Sequence, residues 1–335
     1  MPGFLIIERG EDSPRSILEA KTARPARDLI HNMKHIKSYK AGALTKAESI
    51  SGFAFIAPQM IGYALFVLFP LIMIFVYSFE EKNLLFGSAG FAGGANYAAL
   101  AEDPLFMKTL GNTFVFSLGV VPLNLILALA LALYLGREKN AHWYVNTIVF
   151  LPVVTSGVAW SIVCKYLLQG GDSGPVNRFL SLLGIAGPNW LYEKGWAMAG
   201  VIVSRVLKNL GMNVLILTGA VLNMPEDVIE AARIDGAERF TLFRKIKLPL
   251  LMPSVLMIAI VTVIGSMRVF DTIKLMTDGG PEGSTMVLVY YIYHQAFKMF
   301  DIGYASTLSV LLFVIVLALT VVQWNVRKKV SYYES

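Results

Sequence analysis

Residues Asn223–Pro253 read NMPEDVIEAARIDGAERFTLFRKIKLPLLMP. Pro225 suits the first turn of a helix, where its fixed φ is pre-organised and its missing N–H would have no partner. Glu226 and Asp227 complement the positive end of that helix. The helix is expected to run through Ile234 and to stop at Gly236, in the left-handed conformation that ends helices. A second helix is expected from about Ala237, with Arg244, Lys245 and Lys247 in its last turn, where cations are favoured. Pro249 then opens an apolar run. Ala231 and Ala232 leave a low surface on which another protein's backbone can come close. The stretch is a helix-turn-helix, too polar to enter a bilayer.

Outward from this loop the chain is apolar in blocks. It has 335 residues, 56% hydrophobic and only 16% charged, where soluble domains carry about 25%. Crossing the hydrocarbon core takes about 20 apolar residues. Gly52–Phe79, Thr109–Gly136, Asn140–Cys164, Leu248–Met267 and Ile302–Val326 are uncharged and long enough; Gly195–Pro225 is interrupted by Arg205 and Lys208. Six transmembrane helices are expected, at about 52–79, 109–136, 141–164, 196–222, 248–267 and 302–326. The fold class is an all-α polytopic membrane protein. A basic tail (1–49) precedes the transmembrane domain (50–326), the polar loop spans 223–249, and a short tail (327–335) follows. Pro58, Pro70, Pro122, Pro152 and Gly157 fall inside the spans, where neighbours can satisfy freed backbone groups.

Lysine and arginine set the orientation. Nine lie between Arg9 and Lys46, two are Arg137 and Lys139, five lie between Arg233 and Lys247, and three are Arg327, Lys328 and Lys329. The intervening loops hold only Lys82, Lys108, Lys165, Arg178, Lys194, Lys274 and Lys298. Both termini and the 223–249 loop are therefore expected in the cytoplasm. Trp143, Tyr144 and Trp324 fit interfacial belts. The N-terminus has no apolar core of signal-peptide length, so no cleaved signal is expected. The net charge of +6 is explained by these flanks, and nucleic acid is not an expected partner. The tail is expected either to lie on anionic membrane lipid or to be loosely ordered.

The loop resembles the EAA loop of binding-protein-dependent importer permeases. That pattern is Glu-Ala-Ala, three residues, Gly, nine residues, Ile, one residue, Leu-Pro. Glu230, Ala231, Ala232, Gly236, Ile246, Leu248 and Pro249 match it at every spacing. Ala220–Pro225 (AVLNMP), Phe270–Asp271, Met276–Pro281 (MTDGGP), Tyr291–Tyr293 with Ala296–Phe297, and Gly303–Ser306 (GYAS) resemble the branch of maltose and glycerol-3-phosphate permeases. Asp278 stands where that branch usually has a small polar residue. The resemblance covers roughly residues 50–326.

The resemblance implies a subunit of an ATP-driven importer of a sugar or oligosaccharide, neutral or acidic, in the bacterial inner membrane. It implies a second related permease, two copies of an ATPase subunit and a periplasmic solute-binding protein as partners. Glu230, Ala231, Ala232, Asp235, Gly236, Ala237, Phe240, Leu248 and Pro249 are the residues expected to couple to the ATPase. The chain has no G-x-x-x-x-G-K-[ST] loop, so ATP and its Mg are expected on the partner, with no cofactor here. The alternatives are an ordinary amphipathic surface helix pair for the loop, and an ion-coupled secondary transporter of a small polar solute or a membrane-anchored scaffold for the chain. The spans hold no internal carboxylate and no repeat is visible, which disfavours the transporter.

A charge inside a span costs about 2.5–3.5 kcal/mol at its centre and by default marks a pathway. Arg205 and Lys208 lie three residues apart, on nearly one helix face. Asn209 and Asn213 extend that stripe, and Arg268 and Asp271 bracket the outer end of the fifth span. These six are the candidate solute-path residues. The competing expectation is that Arg205 and Lys208 pair with helix carbonyls or with carboxylates of a partner permease. His31 and His35 have helical spacing but no nearby acidic or thiol ligand, and no catalytic or metal set can be assembled. Cys164, the single cysteine, is expected to be a packing residue.

Overall fold

The computed structural model describes residues 46–136 and 143–331. Most of the basic tail, with His31 and His35, lies outside the described residues, as do Arg137, Lys139 and His142. The chain divides into two units, the first ending at Leu68 and the second beginning at Phe69. The described part of the first is α1 (Lys46–Tyr63), which passes into a π turn, Ala64–Leu68, with no buried residue.

The second unit begins with α2 (Phe69–Tyr77) and a hairpin, β1 (Glu80–Asn83) against β2 (Gly87–Phe91). Then come α3 (Ala95–Glu102), α4 (Pro104–Leu135), α5 (Trp143–Val154), α6 (Gly157–Leu167), α7 (Pro175–Leu182) and α8 (Trp196–Leu222). They are followed by α9 (Glu226–Ile234), α10 (Arg239–Leu242), α11 (Leu248–Met267), α12 (Asp271–Met276), α13 (Leu288–Phe297) and α14 (Ile302–Ser331). The hairpin is the one departure from an all-helical reading among the described residues.

Five helical runs are long and apolar enough to cross a membrane: Ser51–Tyr77, Pro104–Leu135, Trp196–Leu222, Arg239–Met267 and Ile302–Asn325. These meet five of the six expected spans. The third expected span, 141–164, is a broken pair rather than one rod, and the pair together makes a sixth candidate span. Thr147–Val154 and Gly157–Leu167 are bent by 117° against each other. Pro152 removes one N–H from the ladder near the end of α5. Thr155 turns its hydroxyl back to the Leu151 carbonyl, and Ser156 accepts from Ala159 N–H at 3.2 Å, so a new helix is capped where the old one stops.

A second correction concerns the helix expected to end at Lys247. Residues 239–267 form one continuous run, in which α10 passes through a π turn (Phe243–Lys247) directly into α11. Pro249 has no N–H and its ring crowds the carbonyl four residues back. A widened turn just before it removes the need to stop the helix. Arg244, Lys245 and Lys247 therefore sit on that turn rather than at a C-terminus.

α4 and α8 form the centre of the unit. Half of the apolar window of Trp196–Leu222 is buried. Lipid gives no hydrophobic drive between helices, so close packing by small residues and interhelical hydrogen bonds must hold them. Gly211 lets α8 approach so closely that a Cβ there would meet the Val149 carbonyl and the Val153 side chain of α5; at Gly119 it would meet Ile202. Two apolar clusters lie along this contact, one around Phe116, Val120, Val201 and Ile273, the other around Ala128, Ala132, Val214 and Leu217. Cys164 is buried against Leu191 and Met276, in the packing role expected of it.

Candidate functional site

The polar loop is built almost wholly from its own backbone. α9 starts after Pro225, with Glu226 and Asp227 in its first turn. At its other end Gly236 takes φ of +80°. Gly236 N–H donates to Arg233 O at 3.1 Å and Ala237 N–H donates to Ala232 O at 2.9 Å. These two bonds are the paired closure of a Schellman motif, which satisfies carbonyls a helix end leaves free. Nothing lies within 4 Å of where a Gly236 Cβ would be, so backbone conformation alone requires glycine there.

The outward faces are mixed. Glu230, Ala231, Asp235, Phe240 and Pro249 are exposed, and Ala237 and Leu248 are half-buried. Ala232 corrects the expectation of a two-alanine low surface. It is buried within the chain, one turn from the half-buried Ile229, and so only Ala231 faces outward. Sequence reasoning passed over Ile234, which is 86% exposed and, with Phe240 at 69% and Val228, one of the large apolar residues that this polar loop turns outward. The signal was present: Ile234 is one helical turn beyond Glu230, where a surface helix with no partner would carry a polar residue. Two clefts flank α9. One, of about 640 Å³, lies between Leu133 of α4 and Arg233, Arg239 and Lys247. The other, of about 420 Å³, is lined by Val221, Glu226, Glu230 and Arg233.

The candidate solute-path residues separate into three environments. Asn213 is buried. Its amide donates to Asn124 Oδ1 at 2.5 Å and to Thr262 Oγ1 at 3.4 Å, while Asn124 donates to Val206 O at 3.1 Å. Together with the Ser266–Ser117 bond at 2.9 Å, this is a hydrogen-bonded seam joining α4, α8 and α11. The Asn213 amide donors are directed to neighbouring spans. Asn209 is half-buried on the same helix, and Arg268 is exposed as the C-cap of α11.

Lys208 leans on the break after α5. Its ammonium donates to Pro152 O at 2.5 Å, to Val153 O at 3.4 Å and to Thr155 O. Asp271, at the start of α12, reaches the other side of that break. A Cβ on Gly157 would collide with its Oδ2. Arg205 donates from Nη2 to Gly265 O at 3.3 Å, while its buried Nε has no partner.

At the opposite end of the spans from α9, Asp103 caps α4 through Leu105 N–H at 2.8 Å. It also accepts from the Tyr291 and Tyr304 hydroxyls, each at 2.6 Å. Burial raises the Asp103 pKa, but the bonds from the two tyrosines and from the Leu105 and Phe106 backbone outweigh it and hold the carboxyl below its ordinary range. Burial and the Asp103 bond push Tyr291 up to about 12. Asp278, at φ of 50°, accepts from Lys274 Nζ at 2.5 Å and Tyr290 OH at 2.9 Å, which explains how a charged residue is held in the MTDGGP turn.

Comparison with known proteins places the loop and its spans in one family. The family described as "Binding-protein-dependent transport system inner membrane component" matches residues 48–332. The chain belongs to that family. It is a multi-pass protein of the inner membrane. The lactose transport system permease protein LacF of Rhizobium radiobacter is 32% identical over 86% of this chain and 97% of its own length. The sulfoquinovosyl glycerol transport system permease protein SmoG of Agrobacterium fabrum is 32% identical over 80% and 87% respectively. Among solved structures, a chain of a bacterial ABC transporter involved in the import of the acidic polysaccharide alginate superposes with a TM-score of 0.71. The match covers 83% of this chain and 94% of that one at 22% identity, and it shows a shared fold.

Proposed function

We propose that this permease subunit carries a sugar or oligosaccharide inward, driven by ATP hydrolysis in a partner. Both termini and α9 lie in the cytoplasm in this reading. α9 docks on an ATPase subunit, two copies of which bind ATP and Mg. A second, related permease supplies the other half of the path, and a periplasmic binding protein delivers the solute. The observation that carries the reading is the loop itself. It is a short helix closed by its own backbone, with Glu230, Ala231, Ile234 and Phe240 turned outward. An isolated nine-residue helix is marginal in water, so its order comes from its caps and from the ends of α4 and α8 beneath it. A pre-ordered, partly apolar protrusion loses little entropy on docking.

The relatives support a sugar-like solute and leave its charge open, since one is named for lactose and another, equally similar, for a sulfonated glycoside. Arg205 favours the acidic case. It is a cation within a span, where a charge by default marks a pathway.

Proteoliposomes holding the assembled complex, with the binding protein outside and ATP inside, test the proposal. Uptake of the solute should need internal ATP and should survive collapse of all ion gradients by ionophores. Uptake without ATP that vanishes with the gradients would establish ion-coupled transport instead. Arg205→Gln should weaken uptake of an acidic oligosaccharide far more than that of a neutral one; equal effects would remove Arg205 from the path.

A further inference from the structure

The two helices of the broken third span end on opposite charges that come from elsewhere in the chain. α5 stops at Val154, leaving its last carbonyls without intrahelical donors. Lys208 of α8, more than fifty positions on, places its ammonium on two of them, those of Pro152 and Val153, and on the Thr155 carbonyl just beyond. α6 starts at Gly157, where the free N–H groups give a positive end. Asp271 places a carboxylate against that end, at a spot only glycine leaves open. A cation thus meets the negative end of one helix, and an anion the positive end of the next. In hydrocarbon, unpaired backbone groups cost several kcal/mol each, so a break at this depth needs such partners.

We infer that Lys208 and Asp271 are positioning residues that hold the bend between α5 and α6, and that Lys208 ties this bend to the loop-bearing helix α8. Neither residue meets the solute. From Lys208, α8 continues to Leu222, three residues before Pro225, where the loop helix begins its entry. Any movement of α8 driven from α9 therefore carries the Lys208 ammonium with it, and the α5 terminus follows. Trp160 reinforces the link, with its indole N–H donating to Ser204 O at 3.0 Å. The inference stands apart from the identity of the solute.

Spin labels at Ile148→Cys and Tyr166→Cys, in a Cys164→Ser background of the whole assembled complex, report the bend without reference to transport. A continuous helix would separate these backbone positions by about 27 Å; the 117° bend brings them to about 15 Å. Wild type should give a narrow, short distance. Lys208→Met and Asp271→Asn should broaden or lengthen it, and Lys208→Arg should restore it. In uptake assays Lys208→Met should lower the maximal rate about tenfold and change KM less than about twofold. Unchanged distances in both Lys208→Met and Asp271→Asn would overturn the inference. A rise in KM with an intact distance would overturn it too, and would make Lys208 a solute contact. If Lys208→Met does not assemble, Lys208→Arg and Asp271→Asn decide by the same distance.

Discussion

The loop at 223–249 and the bend at 155–156 both end one helix and start another, yet they are held in opposite ways. The loop uses neighbours in sequence: Pro225 before α9, the Ala237-to-Ala232 and Gly236-to-Arg233 bonds after it, and glycine where φ is positive. The bend has a local serine cap but takes its charges from α8 and α12. A water-facing turn can leave groups to solvent, whereas a turn among spans must find every partner in the protein.

The sharpest way to break this contrast is Gly236→Val. A β-branched residue in the left-handed region costs about 1–2 kcal/mol or more, and no packing is disturbed because the space around the Cβ is open. ATP-driven uptake should fall by an order of magnitude or more, while thermal stability of the isolated subunit stays within a few degrees. A large loss of stability with normal coupling would show that the loop's shape serves the fold. Gly157→Ala probes the bend in the same way but should act through packing. Its Cβ must displace Asp271, an overpacking worth about 1–3 kcal/mol, visible as a lowered Tm of the complex. An unchanged Tm would mean that the carboxylate is not held there.

Asn213→Leu tests whether the seam is structural. It leaves Asn124 without its buried donor, a cost of about 1–3 kcal/mol, and should lower Tm without altering which solutes stimulate the complex. A shift in solute preference would return Asn213 to the path. The smallest effect is expected at Asp103. Its folded pKa is depressed, so the stability it contributes is present above the unfolded value of about 3.9 and is lost as pH falls through the folded one. Tm measured on acidification below about pH 4 should drop more steeply for wild type than for Asp103→Asn. Parallel curves would show that the tyrosine bonds do not favour the ionised form.

What was legible in the sequence follows the same division. Four of the five long spans were visible as uncharged runs and the other as a run broken only by Arg205 and Lys208, and α9 with its Gly236 stop was visible because its signals are adjacent residues. The bend was not, since Pro152 and Gly157 are also what unbroken spans tolerate, and the ionic partners lie far away in the chain. The same distance hid the partners of Asn213, which join α8 to α4 and α11. The run through Lys247 was missed because Pro249 normally marks a start, and a π turn is not written in composition. Ile234 was legible and overlooked: an apolar residue on a polar loop is a contact in waiting.

The most direct measurement is ATP hydrolysis by the complex reconstituted with its ATPase subunits and binding protein, over neutral and acidic oligosaccharides, for wild type and Glu230→Ala. The account predicts hydrolysis stimulated by one class of sugar and reduced at least about tenfold in the variant, with assembly weakened at the loop. A chain that assembles with no ATPase, or a variant that hydrolyses ATP like wild type, would contradict it.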